Sequence, residues 1–138
     1  MSGLYLEIVT PSKTAFKGEI ASITVPGTNG SFQVLKNHAP IVSSLEVGSI
    51  KVVLNDNTIH NYATGGGTIE VNKNKILLLA DSIELVNEID IGRAKQALER
   101  AEERLSRRNI DKDIDVQRAE AALARAMNRI KLKEKINQ

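Results

Sequence analysis

Hydrophobic and polar positions alternate from the start of the chain. Leu4, Leu6 and Ile8 interleave with Tyr5, Glu7 and Val9, a period of two that suits a strand with one buried face. Pro11-Ser12 breaks this run. Residues 20–25 place Ala21, Ile23 and Val25 on one side and end at Pro26-Gly27. Residues 31–35 follow the turn Thr28-Asn29-Gly30. Ile50, Val52 and Leu54 precede the turn Asn55-Asp56-Asn57, and residues 58–63 return. Ile69 and Val71 lead into Asn72-Lys73-Asn74, and residues 75–80 return again. Turn signals at about ten-residue intervals predict an all-β sandwich or barrel of short antiparallel strands.

The period changes at Ile91. Ile91, Ala94, Leu98, Ala101 and Leu105 step by threes and fours, as do Val116, Ala119, Leu123, Ala126 and Ile130. Two helices follow, the first reaching about Arg108. Asp90 is a suitable N-cap for the first, and Asp113 or Asp115 for the second. The short connection implies an antiparallel hairpin. Alanines alternate with larger aliphatics on both seams, so the helices pack closely but bury little surface. Gly92, in the first turn, weakens the start by about 1 kcal/mol. A hairpin held this lightly can open. The fold class is therefore α+β, with a β-sandwich over residues 1–87 and a helical hairpin over 88–138.

Charge divides at the same place. Residues 1–89 carry 6 Lys+Arg against 8 Asp+Glu, and residues 90–138 carry 13 against 9. All four aromatics (Tyr5, Phe16, Phe32 and Tyr62) lie in the first segment, so the core is mostly aliphatic. The chain has no cysteine, which excludes disulfides and thiol chemistry. No apolar run approaches the ~20 residues of a membrane-spanning helix. The beginning of the chain lacks the basic and apolar stretches of a signal peptide, and a soluble protein is expected.

Candidate chemistry is sparse. Gly65-Gly66-Gly67 precedes a strand and is followed by no Lys-Ser or Lys-Thr, so it reads as a bend or bulge and not as a phosphate cradle. His38 and His60 stand far apart with no carboxylate cluster, which argues against a metal site. His60 is expected to face outward from its strand, and His38 to make polar contacts from a loop. The pair Glu84 and Asp90 reads as a ligand contact and a helix cap, not as an acid and base.

Pro26-Gly27-Thr28-Asn29-Gly30-Ser31-Phe32 through His38-Ala39-Pro40-Ile41-Val42 resembles the glycine-turn and His-Ala-Pro stretch of ATP synthase epsilon subunits. Gly65-Gly66, Ile69-Glu70-Val71 and Leu79-Ala80-Asp81 are similar to the family pattern as well. The order is kept over essentially the whole chain; Lys36 stands where many members have proline. The resemblance implies a non-catalytic rotor-stalk subunit of a bacterial F-type ATP synthase. Its sandwich would bind the gamma subunit and rest on the c ring. Its hairpin would extend toward the alpha and beta subunits and block ATP hydrolysis. Such a subunit is peripheral to the cytoplasmic face of the bacterial inner membrane, and the complex it serves moves protons or sodium ions.

Ile89-Asp90-Ile91-Gly92-Arg93-Ala94 looks like the family's nucleotide motif, hydrophobic-Asp-x-x-Arg-Ala. By the same resemblance Glu84, Arg100, Arg125 and Arg129 complete a regulatory ATP site, with or without magnesium; no cofactor is required. Arg93 and Arg100 are about 10 Å apart along one helix, and Arg125 and Arg129 share a face of the other, so both pairs can converge on a triphosphate. Ser31, His38, Arg107 and Arg108 are the candidate partner contacts. The alternative is a small basic nucleic-acid-binding module. Against it, Glu99, Glu102, Glu103 and Glu120 interleave with the basic residues, and the helices carry no aromatic for stacking on bases.

Overall fold

The computed structural model describes residues 3–136 and divides between Leu85 and Val86 into two compact units. The first unit contains β1 (Leu4–Val9), β2 (Thr14–Ile20), β3 (Ser22–Gly27), β4 (Gly30–Val34), β5 (Ile41–Val53), β6 (Ile59–Asn72), β7 (Lys75–Ala80) and β8 (Ile83–Leu85). Their order is β2-β1-β7-β6-β5-β3-β4, with β8 also on β6. The strands wrap into a sandwich around an aliphatic core that includes Leu4, Leu6, Ile8, Ile23, Val25, Ile50, Val52, Ile69 and Leu78. Each such side chain, fully buried, contributes about 1.5–3 kcal/mol.

The class stands as the alternation predicts, and its particulars differ in instructive ways. β1 and β7 run parallel, in register from Tyr5↔Lys75 to Val9↔Leu79, because the chain returns beside its own first strand. Periodicity carries no direction and cannot show this. β5 and β6 are long and keep one register from Ile41↔Val71 to Val53↔Ile59, the ladder skipping the position between Leu45↔Gly67 and Val47↔Gly65. The first half of β5 shows exposed Ser44 and Glu46, which hides the strand pattern. β2 escapes the pattern as well: it is an edge strand carrying Lys17 and Gly18, of the kind that tolerates polar residues. Ala21 is exposed and lies between β2 and β3, so Ile23 and Val25 alone carry the predicted buried face there.

The glycine trio sits at a corner. β6 pairs β8 up to Thr64↔Ile83 and β7 from Gly67↔Ala80 onward. Gly66 and Gly67 have φ of 99° and 152°. A Cβ on Gly67 would stand 2.1 Å from the Leu79 carbonyl oxygen. The Thr64 hydroxyl donates to the Gly66 and Ser82 carbonyls, and the Asp81 N–H donates to the Gly66 carbonyl, so the bend leaves its backbone groups partnered.

His60 does not face outward. It is half-buried on the same side of β6 as Tyr62, edge-on to the rings of Phe16 (6.1 Å) and Tyr62 (6.2 Å), and its Nδ1 is buried without a partner. In a chain with four aromatics, an imidazole packs as a ring.

The second unit opens with a 3-10 turn, Val86–Glu88, followed by α1 (Ile91–Ser106) and α2 (Val116–Ile136). Asp90 caps α1 through a bond from the Arg93 N–H to Oδ1, 3.1 Å. Asp115 caps α2 in the same way from the Arg118 N–H, also 3.1 Å. Asp113 instead receives its own fix, its N–H donating to the Asp111 carboxylate. No helix among the described residues is long and apolar enough to cross a membrane.

Candidate nucleotide-binding face of the helical hairpin

The seam between α1 and α2 is made of alanine. Ala94, Ala101, Ala119 and Ala126 are the buried residues of the two helices, whereas Leu98, Leu105, Leu123 and Ile130 are only half-buried. Alanine lets the backbones approach but removes little apolar surface, and the larger fully buried side chains of the unit, Val86 and Ile89, lie outside the helices. Lys133 ties α2 to the 3-10 turn, its Nζ donating to the Asn87 carbonyl at 2.8 Å.

Each buried alanine follows an arginine: Arg93-Ala94, Arg100-Ala101, Arg118-Ala119 and Arg125-Ala126. One residue is about 100° of helical rotation. In two antiparallel helices, the same backward step from the seam falls on the same side of the pair. Arg129, three residues past Ala126, lies about 60° back and joins that side. The half-buried leucines and Ile130, four residues past each alanine, turn toward the other side. The hairpin is therefore two-faced, with arginines on one side and aliphatics on the other.

Arg93 is exposed and reaches back toward its own cap, Nε to Asp90 Oδ2 at 3.8 Å. Arg125 and Arg129 are half-buried, and Arg100 is exposed. Ile89 and Ala94 are buried at 3% and 0% exposure; Ala94 lies on the seam. Glu84 lies on β8, in the first unit, opposite Ala63. Among the described residues no group of three or more His, Asp or Glu is placed to hold a metal ion.

The partner-contact candidates sit apart. Ser31 is exposed on β4 opposite Pro26. His38 occupies a loop fixed by its N–H to the Leu35 carbonyl and by Nδ1 against the Ala39 carbonyl at 2.7 Å. That loop is clamped to the β6–β7 turn by two asparagines: the Asn37 N–H donates to Asn74 Oδ1 at 2.6 Å, and Asn74 Nδ2 donates back to Asn37 Oδ1. Arg107 is the C-cap of α1 and pairs with Glu103 at 3.2 Å; Arg108 Nη1 donates to the Leu105 carbonyl. Both arginines complement the negative end of that helix.

Sequence reasoning passed over Arg118 and left Arg104 out of the nucleotide site. With Arg100 and Arg107 they line an open cleft of about 530 Å³ at the turn end of the hairpin. The repeated Arg-Ala dipeptide was the available signal for Arg118.

Comparison with known proteins settles the family. A model of the ATP synthase delta/epsilon chain β-sandwich domain matches residues 3–86, and one of its long α-helix domain matches residues 87–134. The chain belongs to the ATP synthase delta/epsilon family. An ATP synthase epsilon chain from Desulfitobacterium hafniense is 44% identical over 109 residues, covering 78% of this chain and 82% of that one. The epsilon chain of Pelotomaculum thermopropionicum is 44% identical over 103 residues, covering 75% and 76%. As an epsilon subunit, the protein is a non-catalytic component of the synthase. The fold recurs in a chain of the Euglena gracilis mitochondrial ATP synthase (OSCP/F1/c-ring), with TM-score 0.76 and 22% identity over 93% of this chain and 79% of that one. It recurs again in the central stalk/c-ring of the Tetrahymena thermophila enzyme, with TM-score 0.61 and 18% identity over 97% and 96%.

Proposed function

We propose that this epsilon subunit senses ATP through its hairpin and, when the hairpin opens, restrains ATP hydrolysis by the synthase. The observation that carries the reading is the arginine face: Arg93, Arg100, Arg125 and Arg129 share one side of a hairpin whose fully buried helix residues are alanines. A triphosphate on that face receives charge-assisted, bidentate bonds from guanidinium groups. The face exists only while the helices are paired, so ATP stabilises the closed state and shifts the population toward it. At a hundredfold excess over its dissociation constant, a ligand contributes about 2.7 kcal/mol. That is a large increment for a seam of four alanines. Ile89 lies at the adenosine end by family analogy, Asp90 caps α1, and Ala94 keeps the seam close.

In the assembled enzyme the sandwich binds the gamma subunit and the c ring, with Ser31 and the His38 loop at the contact. The open hairpin presents Arg107 and Arg108 to the alpha and beta subunits. The protein is thereby peripheral to the cytoplasmic face of the membrane. Calorimetric titration of the isolated chain with ATP, repeated on Arg125→Ala, tests the sensing role. Saturable binding that the variant loses supports it. Absence of binding up to millimolar ATP refutes it and leaves a hairpin governed by its protein partners.

A further inference from the structure

The arginine face does not end with the four residues of the nucleotide motif. Arg104 is third from the end of α1 and Arg118 is third in α2, so they stand level across the hairpin, in the cleft that Arg100 also lines. Arg100 and Arg104 are neighbours one turn apart. Arg118 holds the same position relative to its buried alanine as Arg93, Arg100 and Arg125 do.

The cleft also holds four carboxylates, Glu103, Asp111, Asp113 and Asp115, and three of them have another task. Glu103 pairs with Arg107. Asp115 caps α2, and Asp111 accepts the Asp113 N–H. The guanidinium groups of Arg100, Arg104 and Arg118 have no carboxylate within 4.0 Å among the described residues. Four arginines and four carboxylates line the cleft, so its formal charge balances, but among the described residues the guanidinium forks of Arg100, Arg104 and Arg118 are not taken up by a carboxylate. A multivalent phosphate offers those forks bidentate partners.

We propose that Arg100, Arg104 and Arg118 form a second phosphate subsite, so that the hairpin accepts a linear phosphate chain longer than the three phosphates of a nucleotide. From Arg93 to Arg104 the face runs eleven residues, about 16 Å of helix, and α2 matches it from Arg118 to Arg129. The ligand class is a linear polyphosphate, inorganic or capped by nucleosides. The inference shares Arg100 with the nucleotide reading but does not need the adenosine end of it.

The test is calorimetric titration of the full chain, at one fixed salt concentration, with tripolyphosphate and with an inorganic chain of roughly ten phosphates. The longer chain should bind at least about tenfold more tightly per molecule. Arg104→Ala with Arg118→Ala should abolish that advantage. Lys131→Ala with Lys135→Ala removes the same charge elsewhere and should preserve it. Equal binding of the two chains by the native protein overturns the proposal, as does an equal loss in the lysine variant. If the alanine pair loses helix by circular dichroism, Arg104→Lys with Arg118→Lys keeps charge and helix. It should still lose most of the advantage, because lysine lacks the planar fork, and full retention would refute the subsite. Diadenosine pentaphosphate binding more tightly than inorganic pentaphosphate would assign the capped ligand; the reverse order would assign the inorganic one. Polyphosphate binding without ATP binding would refute the nucleotide reading and leave this subsite standing.

Discussion

Replacing Ala101 by leucine probes the weakest joint of the molecule. Ala101 is 3% exposed on the seam, and Ala119, the buried alanine of α2 nearest the turn, is 2% exposed. Leucine adds three carbons where the helices touch through methyl groups. Overpacking of this kind costs typically about 1–3 kcal/mol. The sandwich has its own core and should not register the change. The closed hairpin must absorb all of it, because four alanines supply its seam. If ATP binds only the closed state, apparent affinity falls with the closed fraction. At about 1.4 kcal/mol per tenfold, the dissociation constant should rise roughly 5- to 150-fold. Titration with ATP reads this directly, and denaturant unfolding checks that the sandwich is unaltered. Ala124→Leu, at an exposed position of α2, is the control and should bind like the native chain. Native affinity in Ala101→Leu would refute the argument that ATP binding requires this seam.

Other consequences are equally specific. Gly67→Ala should cost about 2–5 kcal/mol in urea unfolding, from a φ of 152° together with a clash against the Leu79 backbone; Gly30→Ala, with φ 124° and open space around the added carbon, should cost only the backbone share, about 1–3 kcal/mol. His60→Phe should stabilise the sandwich by about 1–2 kcal/mol, because it removes a buried ring nitrogen that has no partner. Asp90→Ala should lower helix content and cost about 0.5–2 kcal/mol of hairpin stability through loss of the cap, read by circular dichroism. The Thr58 hydroxyl and N–H hold the Asp56 carboxylate below its usual range. Its contribution is therefore present above the ordinary carboxylate pKa and is lost as pH falls through the lowered one, so Asp56→Asn should flatten acid unfolding in that window.

Period and turn chemistry made much of this fold legible. The change of period at Ile91 marked the hairpin, and Asp90 announced its start. Asn72-Lys73-Asn74 turned where expected, with Lys73 and Asn74 both at positive φ. What stayed hidden was relational. The parallel pairing of β1 with β7 depends on which strands meet, and alternation within one strand cannot encode it. β2 was hidden because an edge strand need not alternate cleanly. His60 was misplaced because local pattern does not show which ring fills a gap between Phe16 and Tyr62. At the candidate site, helical spacing placed Arg93 with Arg100 and Arg125 with Arg129. The shared face of the two helices, and the place of Arg104 and Arg118 on it, needed the pairing of buried alanines across the seam.

The central claim is that ATP closes the hairpin, and amide hydrogen exchange of the full chain with and without saturating ATP tests it most directly. The account predicts added protection concentrated in α1 and α2, with the sandwich strands unchanged, and loss of that protection in Arg125→Ala. Exchange in both helices that is indifferent to ATP, at concentrations where calorimetry shows it bound, would contradict it.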